Sequence, residues 1–420
     1  MCRISTFAAA LALLASGAAS APAQTAEARD PASVRAQLLQ PPAAIPPIVW
    51  NEVRHDDTTV ELRATFPSAF QTSTPENQTV PLWLYLPAGQ AFAAPFPAVV
   101  ALHYLGAGDL AEERALAHQL NARGIAALVL ALPYHLTRAP EGTRSGELAI
   151  QPDPGRIEDV MVQSVLDVRR ALDQLSLRND IDTKHLGVSG ISLGSLVAEL
   201  AYGVDDRLER SAFLLGGTGL AHILWSSSLV LVSREGLRRR GLNEAVLTKL
   251  LAPVEPSELL RDRVVAGKSP PGSTLVVGAT FDTVMPPIAT KSLIADLNQP
   301  KTIWMDTGHY GGIFAQRRLL NEVATFFRAE YSGQSYSPPV SIRAPTLRLL
   351  AQVATPTGFD IGVGIDLFKT REQLETFGCA ALTPHGPELF VGKSVGGGFA
   401  VGGGIGLKGP GFGLYWSAVL

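Results

Sequence analysis

From Trp50 to about Glu330 the chain alternates between two patterns of apolar and polar positions. Short apolar runs, mostly of Val, Leu and Ala, fall at Val80–Leu86, Ala98–Leu102, Ile125–Ala131, His185–Ser189, Ala212–Leu215, Leu275–Val277 and Lys301–Met305. Runs of that length, several bounded by Gly or Pro, predict buried strands. Between them, Leu110–Arg123, Arg156–Leu175, Leu193–Tyr202 and Ile313–Arg328 carry helical spacing. In the second of these, Ile157, Val160, Met161, Val165, Leu166, Val168, Leu172 and Leu175 mark an apolar stripe with charges largely on the other side. Strands alternating with helices predict an α/β fold, a mostly parallel sheet with helices on both faces.

The alternation lapses between Gly216 and Pro271. Ala221–Val232 is apolar, Asn243–Leu251 has helical spacing, and Arg238-Arg239-Arg240 reads as a solvated helix face. Residues 216–271 are therefore expected to form a helical insertion where a lid could sit. After Tyr331 glycine becomes abundant and the period changes to two. Phe359, Ile361, Val363, Ile365 and Leu367 share one face; Val395, Phe399, Val401, Ile405 and Leu407 share another; Phe412, Leu414, Trp416, Ala418 and Leu420 repeat the theme. This pattern predicts a C-terminal antiparallel β-rich appendage over residues 331–420.

Composition narrows the classes without naming one. The 420 residues are 46% hydrophobic and 17% charged, enough for a large domain with an appendage and too apolar for disorder. A net charge of −3 over 35 basic and 38 acidic residues leaves no basic cluster for phosphates, so no nucleic-acid partner is expected. Arg3, the apolar run Phe7–Ala19 and the small-residue stretch Ala21-Pro22-Ala23 read as an export signal over residues 1–23. That run is too short to span a bilayer. A Pro-rich lead-in over residues 24–49 is expected to be extended, with residues 50–330 forming the main domain. Cys2 would leave with the signal, and Cys379 alone could form no intramolecular disulfide. The expected location is periplasmic or secreted.

Gly190-Ile191-Ser192-Leu193-Gly194 is a G-x-S-x-G pentapeptide between a predicted strand and a predicted helix. A serine on that sharp turn projects its hydroxyl above the sheet, and the flanking glycines leave room for the turn. The helix N-terminus places the Leu193 N–H near a developing oxyanion. A second match, Gly392-Lys393-Ser394-Val395-Gly396, lies inside the glycine-rich β region with no His or Asp pattern after it, and is set aside. A nucleophilic serine needs a base held by a carboxylate. Asp282 follows the run Leu275–Val277, and His309 lies in Asp306-Thr307-Gly308-His309-Tyr310-Gly311-Gly312 after the run Lys301–Met305. Asp306 is the alternative acid, less suited because it directly precedes the histidine loop.

With its Ser192, Asp282, His309 order, the elbow around Ser192, the D-x-V-x-P-P stretch from Asp282 and the G-H-x-G-G loop, the chain resembles the α/β-hydrolase superfamily over roughly 50–330. The resemblance implies a catalytic triad of these three residues, and a second oxyanion donor, the N–H of Leu105, in the loop His103-Tyr104-Leu105-Gly106-Ala107-Gly108. Tyr104, standing where many members have Gly, and His135, after a strand at the same edge, are the candidates for the substrate pocket. The implied activity is that of a serine esterase on a small-molecule ester. Peptidase, thioesterase and dienelactone-type chemistry on the same triad stay open, as does a catalytically silent binding or surface protein. No metal-ligand spacing and no phosphate-binding glycine pattern is present in the catalytic region, so neither metal nor cofactor is expected. Membrane association through the C-terminal β region, at an outer membrane, is a further reading. Against it, only about four membrane-type strands are discernible, and four close no barrel.

Overall fold

The computed structural model describes residues 30–89, 91–355, 358–369, 376–396 and 399–419. The expected export signal and Leu420 lie outside them. Ten strands form one sheet: β1 (Asn51–His55), β2 (Thr59–Pro67), β3 (Thr79–Pro87), β4 (Phe96–Leu102), β5 (Ala126–Leu130), β6 (Ile181–Ile191), β7 (Leu208–Leu214), β8 (Thr274–Ala279), β9 (Lys301–Asp306) and β10 (Ser341–Arg343). Their order is β1-β2-β3-β5-β4-β6-β7-β8-β9-β10. The strands from β5 through β4, β6 and β7 to β8 run parallel, and β1 to β3 add an antiparallel edge. The seven expected apolar runs are β3 to β9. In β4 to β8 the central residues, among them Val99, Leu128, Val188, Leu275 and Val277, are fully buried, which is why those runs are continuous, while β3 and β9 place half-buried Trp83 and Trp304 between buried neighbours. Strand β1 is exposed along its whole length and is held by pairing to β2, so it leaves no apolar signature.

Helices α2 (Ala111–Asn121), α3 (Pro154–Ser176), α4 (Leu193–Val204) and α10 (Gln316–Tyr331) fall where helical spacing was read. Four more, α5 (Leu220–Ser226), α6 (Leu231–Arg239), α7 (Glu244–Leu251) and α8 (Pro256–Val265), fill the stretch between β7 and β8, and α9 (Pro287–Asp296) follows β8. Glu255 joins two of these helices. It caps α8 through Ser257 N, and its carboxylate also accepts the N–H groups of Gly219 and Leu220 at the start of α5, at 2.9 and 2.7 Å. The lead-in is not extended throughout. Asp30 caps α1 (Pro31–Leu39) by accepting from Ala32 N and Ser33 N, Pro31 suits a first helical turn, and Val34 and Leu38 are buried. Burial of only two side chains left too faint a stripe to register as a helix.

A buried polar network links the segment between β2 and β3, the stretch after β5 and helix α3. Arg138, completely buried, donates to Asp167 Oδ2 at 2.9 Å, to Ala131 O and to Asn77 O. Asp167 Oδ1 accepts from Ser68 Oγ and Ala69 N, and Gln163 bridges Asn77 and Ser68. Each charge is thus paired and hydrogen-bonded, the condition under which a buried ion pair is tolerated.

The chain divides into two compact units. One contains residues 30–278, Ile288–Ile303 and Arg317–Pro339; the other contains Ala279–Pro287, Trp304–Gln316 and Val340–Leu420. The second unit joins two loops of the expected main domain to the C-terminal strands. Those strands are β11 (Thr346–Thr355), β12 (Gly358–Lys369), β13 (Thr376–Thr383), β14 (Gly386–Gly396), β15 (Phe399–Gly406) and β16 (Gly409–Val419), all antiparallel and closed into a barrel by pairing of β11 with β16. The expected β appendage is therefore a six-stranded closed barrel rather than about four strands. Strand β13 escaped notice because its outward positions include Gly378 and Ala380, which erase the alternation. Inside the barrel Phe390 stacks on Tyr415 at 4.8 Å and meets Phe377 edge-on, around Leu350, Cys379, Ala381 and Ala400.

Candidate active site

Ser192 sits between β6 and α4 with φ 55° and ψ −113°, a backbone conformation costly for a residue with a Cβ. The surroundings hold it there. Its N–H donates to Leu214 O at 2.9 Å, and its carbonyl accepts from Ser195 N and Leu196 N. The flanking glycines are required by close approach. A Cβ on Gly190 would run into the Gly194 carbonyl and stand 2.6 Å from Ser195 N; one on Gly194 would strike the Leu102 carbonyl and stand 2.6 Å from His103 O. Leu193 is the first residue of α4, so its N–H belongs to the set left without intrahelical partners. One turn further, Ser195 Oγ donates to Glu199 Oε1 at 3.0 Å, and burial pushes that carboxyl well above the usual carboxylate range.

The loop after β4 is tied down by two histidines. His103 Nδ1 donates to Tyr104 O at 2.9 Å while its Nε2 accepts from Leu132 N at 2.9 Å. His135 Nδ1 donates to Pro133 O at 2.8 Å while its Nε2 accepts from Gly106 N at 3.1 Å. Each ring is therefore a neutral tautomer with both nitrogens committed to backbone. The two rings meet edge-on at 4.7 Å. Burial lowers His103 to about 4, and burial together with the neighbouring His103 lowers His135 well below the usual range. His135 is completely buried, so it offers a substrate no surface; it braces the loop instead of lining a pocket. Tyr104 is half-buried, and Leu105 packs against Tyr134, Ala149 and Val160. Tyr134 and Leu136, on either side of His135, both have positive φ, at 62° and 51°.

Gly146, Ser145 and Gly106 complete this brace. Gly146, at φ 79°, approaches so closely that a Cβ would stand 2.5 Å from His135 Nε2 and 2.7 Å from Gly106 N. Ser145 Oγ donates to Ala107 O at 2.6 Å and accepts from Leu136 N at 2.9 Å. Gly106 supplies the N–H that His135 accepts. Contacts between separate loops leave no periodic trace in a sequence.

In the second unit, Asp282 and His309 form a hydrogen-bonded pair, with Nδ1 of His309 donating to Oδ2 of Asp282 at 2.7 Å. The other carboxylate oxygen accepts from Val284 N at 2.8 Å and Met285 N at 2.7 Å, which fixes the acid's orientation. Both side chains are buried. The partner of His309 in this bond is Asp282, while Asp306 ends β9. The Tyr310 ring meets the imidazole edge-on at 5.4 Å, and burial raises its phenol far above the ordinary tyrosine range. The same unit anchors both loops: Thr283 Oγ1 donates to Val419 O and Thr307 Oγ1 to Pro345 O, each at 2.7 Å. Among the described residues no group of three or more His, Cys, Asp or Glu is placed to hold a metal ion.

The sheet order, the helices around it and the strand–turn–helix at Ser192 define an α/β-hydrolase domain. Residues 20–250, more than half of the chain, match the family described as alpha/beta hydrolase domain containing 18, and the chain belongs to that family. A search of the curated proteins returns no significant match. Similar solved structures include an acetyl xylan esterase from Paenibacillus sp. R4, 18% identical over 71% of this chain and 92% of that one, with a TM-score of 0.50. A 2,6-dihydroxy-pseudo-oxynicotine hydrolase is 17% identical over 70% and 72% of the two chains, with a TM-score of 0.45. A cold-adapted esterase from an Arctic intertidal metagenomic library is 16% identical over 66% and 98%, with a TM-score of 0.44. The likeness to the first is one of fold.

Proposed function

We propose that the protein is an exported serine hydrolase that cleaves carboxylic esters through Ser192, His309 and Asp282. The observation that carries the reading is the conformation of Ser192, held at positive φ on a strand-to-helix turn by backbone contacts that exclude any side chain at 190 or 194. Strain of this kind persists where the surroundings over-determine it, and it is common at active sites. The oriented Asp282–His309 pair is the second support, because a carboxylate on Nδ1 leaves Nε2 as the basic nitrogen.

In this reaction Ser192 Oγ attacks the ester carbonyl carbon as His309 Nε2 takes the hydroxyl proton. The carbonyl oxygen gains the negative charge, which the N–H groups of Leu193 and Leu105 stabilise, each by about 3 kcal/mol. Collapse of the tetrahedral intermediate breaks the carbon–oxygen bond, and the imidazolium returns the proton to the leaving alcohol. Water then attacks the acyl-enzyme by the same route, releasing the acid and Ser192. Asp282 keeps the proton on Nδ1 and stabilises the imidazolium. Export rests on the leader pattern around Arg3, Phe7–Ala19 and Ala23.

The test is hydrolysis of a p-nitrophenyl ester series from acetate to palmitate, beside Ser192→Ala. Turnover that disappears in the variant supports the reading, and the chain-length optimum defines the acyl group. Equal turnover by the variant overturns it.

A further inference from the structure

Among the described residues, sixteen of the 27 exposed large apolar side chains lie between Val353 and Leu414, in the barrel. They are spread over all six strands, as Val353, Ile361, Leu382, Leu389, Ile405 and Phe412 illustrate, one from each strand in order. The charges go the other way. Arg348 points inward, its guanidinium 3.8 Å from the Phe377 ring centroid and forked onto Asp366 at 2.8 and 2.7 Å. Asp360 is buried and bonded to His385 at 2.7 Å, and Glu388 accepts from the buried Gln352 at 2.9 Å. Lys393 is an outward charge, opposite Thr376, the first residue of β13. It therefore sits near one end of the wall, where a long side chain can reach a polar boundary.

A barrel in water has its polar residues outside. This one holds its charges inside, paired around the cluster of Phe377, Phe390 and Tyr415, and turns an apolar wall outward around its full circumference. A single protein partner would cover one side of such a wall; a solvent of hydrocarbon covers every side. Two further properties suit hydrocarbon. Closure through β11 and β16 leaves no unpaired strand edge, as spanning structures require. The strands are 8 to 12 residues long, bracketing the 9–11 of a tilted membrane strand. Six strands give a bore narrower than that of eight-stranded barrels. Inward glycines make the narrow bore possible: a Cβ on Gly404 would stand 2.6 Å from Phe390 Cβ, and one on Gly392 would stand 2.9 Å from the Phe377 ring.

We propose that the C-terminal barrel inserts into a lipid bilayer, with its outward side chains against the acyl chains. No helix among the described residues is long and apolar enough to cross a membrane. The inference does not depend on the ester-hydrolase reading.

The experiment uses the purified full chain, diluted from detergent into phosphatidylethanolamine–phosphatidylglycerol vesicles and floated on a density gradient after a pH 11 carbonate wash. The chain is expected to float, and Val391→Asp, Val401→Asp and Phe412→Asp are each expected to lower the floated fraction several-fold. Because an aspartate could also unfold the barrel, a second measurement keeps the wall apolar. Leu389→Cys and Arg239→Cys are labelled separately with a nitrobenzoxadiazole maleimide, and emission is read with and without doxyl-labelled lipid. Strong quenching at 389 with little at 239 is the expected result. A chain that stays in the aqueous fraction without detergent, as monomer or closed oligomer, with the 389 label unquenched, overturns the proposal.

Discussion

The ring of His135 accepts the N–H of Gly106 at 3.1 Å, and Gly146 stands so near both that any side chain there would separate them. This brace fixes the loop proposed to supply the Leu105 N–H. Gly146→Ala and His135→Phe should therefore lower kcat by roughly 10- to 100-fold, less than complete loss of an oxyanion donor, with KM little changed. Steady-state kinetics on the best p-nitrophenyl ester checks this. Because the ring is neutral in the folded protein, the pH–rate profile should keep its shape in His135→Phe.

Asp282 orients His309 through one carboxylate oxygen and is itself held by Val284 N and Met285 N through the other. In Asp282→Asn the amide oxygen can keep the backbone bonds while the amide N–H faces Nδ1. That reverses the tautomer and puts a proton on the nitrogen that should act as base. The expected loss in kcat is about 10⁴-fold with modest loss of stability. Asp306→Asn should retain turnover near that of the parent. Comparing the two variants by kinetics and thermal unfolding separates the acid from its neighbour.

Glu113, in the first turn of α2, is buried, and that burial raises its pKa to about 8. Between the unfolded value near 4.5 and about 8, the folded state holds a proton that the unfolded state releases. Its contribution to stability is therefore fully present below pH 4.5 and falls as pH rises through this window. Glu113→Gln removes the dependence. The variant should gain roughly 3 kcal/mol over the parent at pH 7, with the gap closing towards pH 4. Urea unfolding at pH 4.5, 7 and 8.5 measures it.

Arg138 and Asp167 are both completely buried and bonded at 2.9 Å. Asp167→Ala should cost about 3–5 kcal/mol, because it strands the guanidinium. The double variant Asp167→Leu with Arg138→Met removes both charges and should recover much of that loss. Urea midpoints for the two variants give the comparison.

Strands β4 to β8 were legible because a strand whose central residues are buried on both faces is an apolar run, and the elbow was legible because its backbone contacts admit only glycine at 190 and 194. Asp282 and His309 stood out by residue type and strand-end position, the family resemblance joined them, and the two side chains are bonded. Other parts left weaker traces. Strand β1 buries nothing, and α1 buries only Val34 and Leu38. The roles of Gly106, Ser145 and Gly146 depend on two loops meeting, which no local pattern records. In the barrel, a two-residue period identifies faces without saying which one is inside. Leu350 on β11, apolar on the face that Arg348 and Gln352 make polar, and Gly378 on β13 each interrupt the alternation that would have counted the strands.

The central claim is that Ser192 is the nucleophile, and a fluorophosphonate probe tests it most directly. Incubation of the folded protein followed by peptide mapping should place one phosphonyl group on Ser192. Ser192→Ala should take up none, and His309→Ala should react at least about a thousandfold more slowly. A folded protein that takes up no probe, or that carries it on another serine and keeps it in Ser192→Ala, would contradict the account.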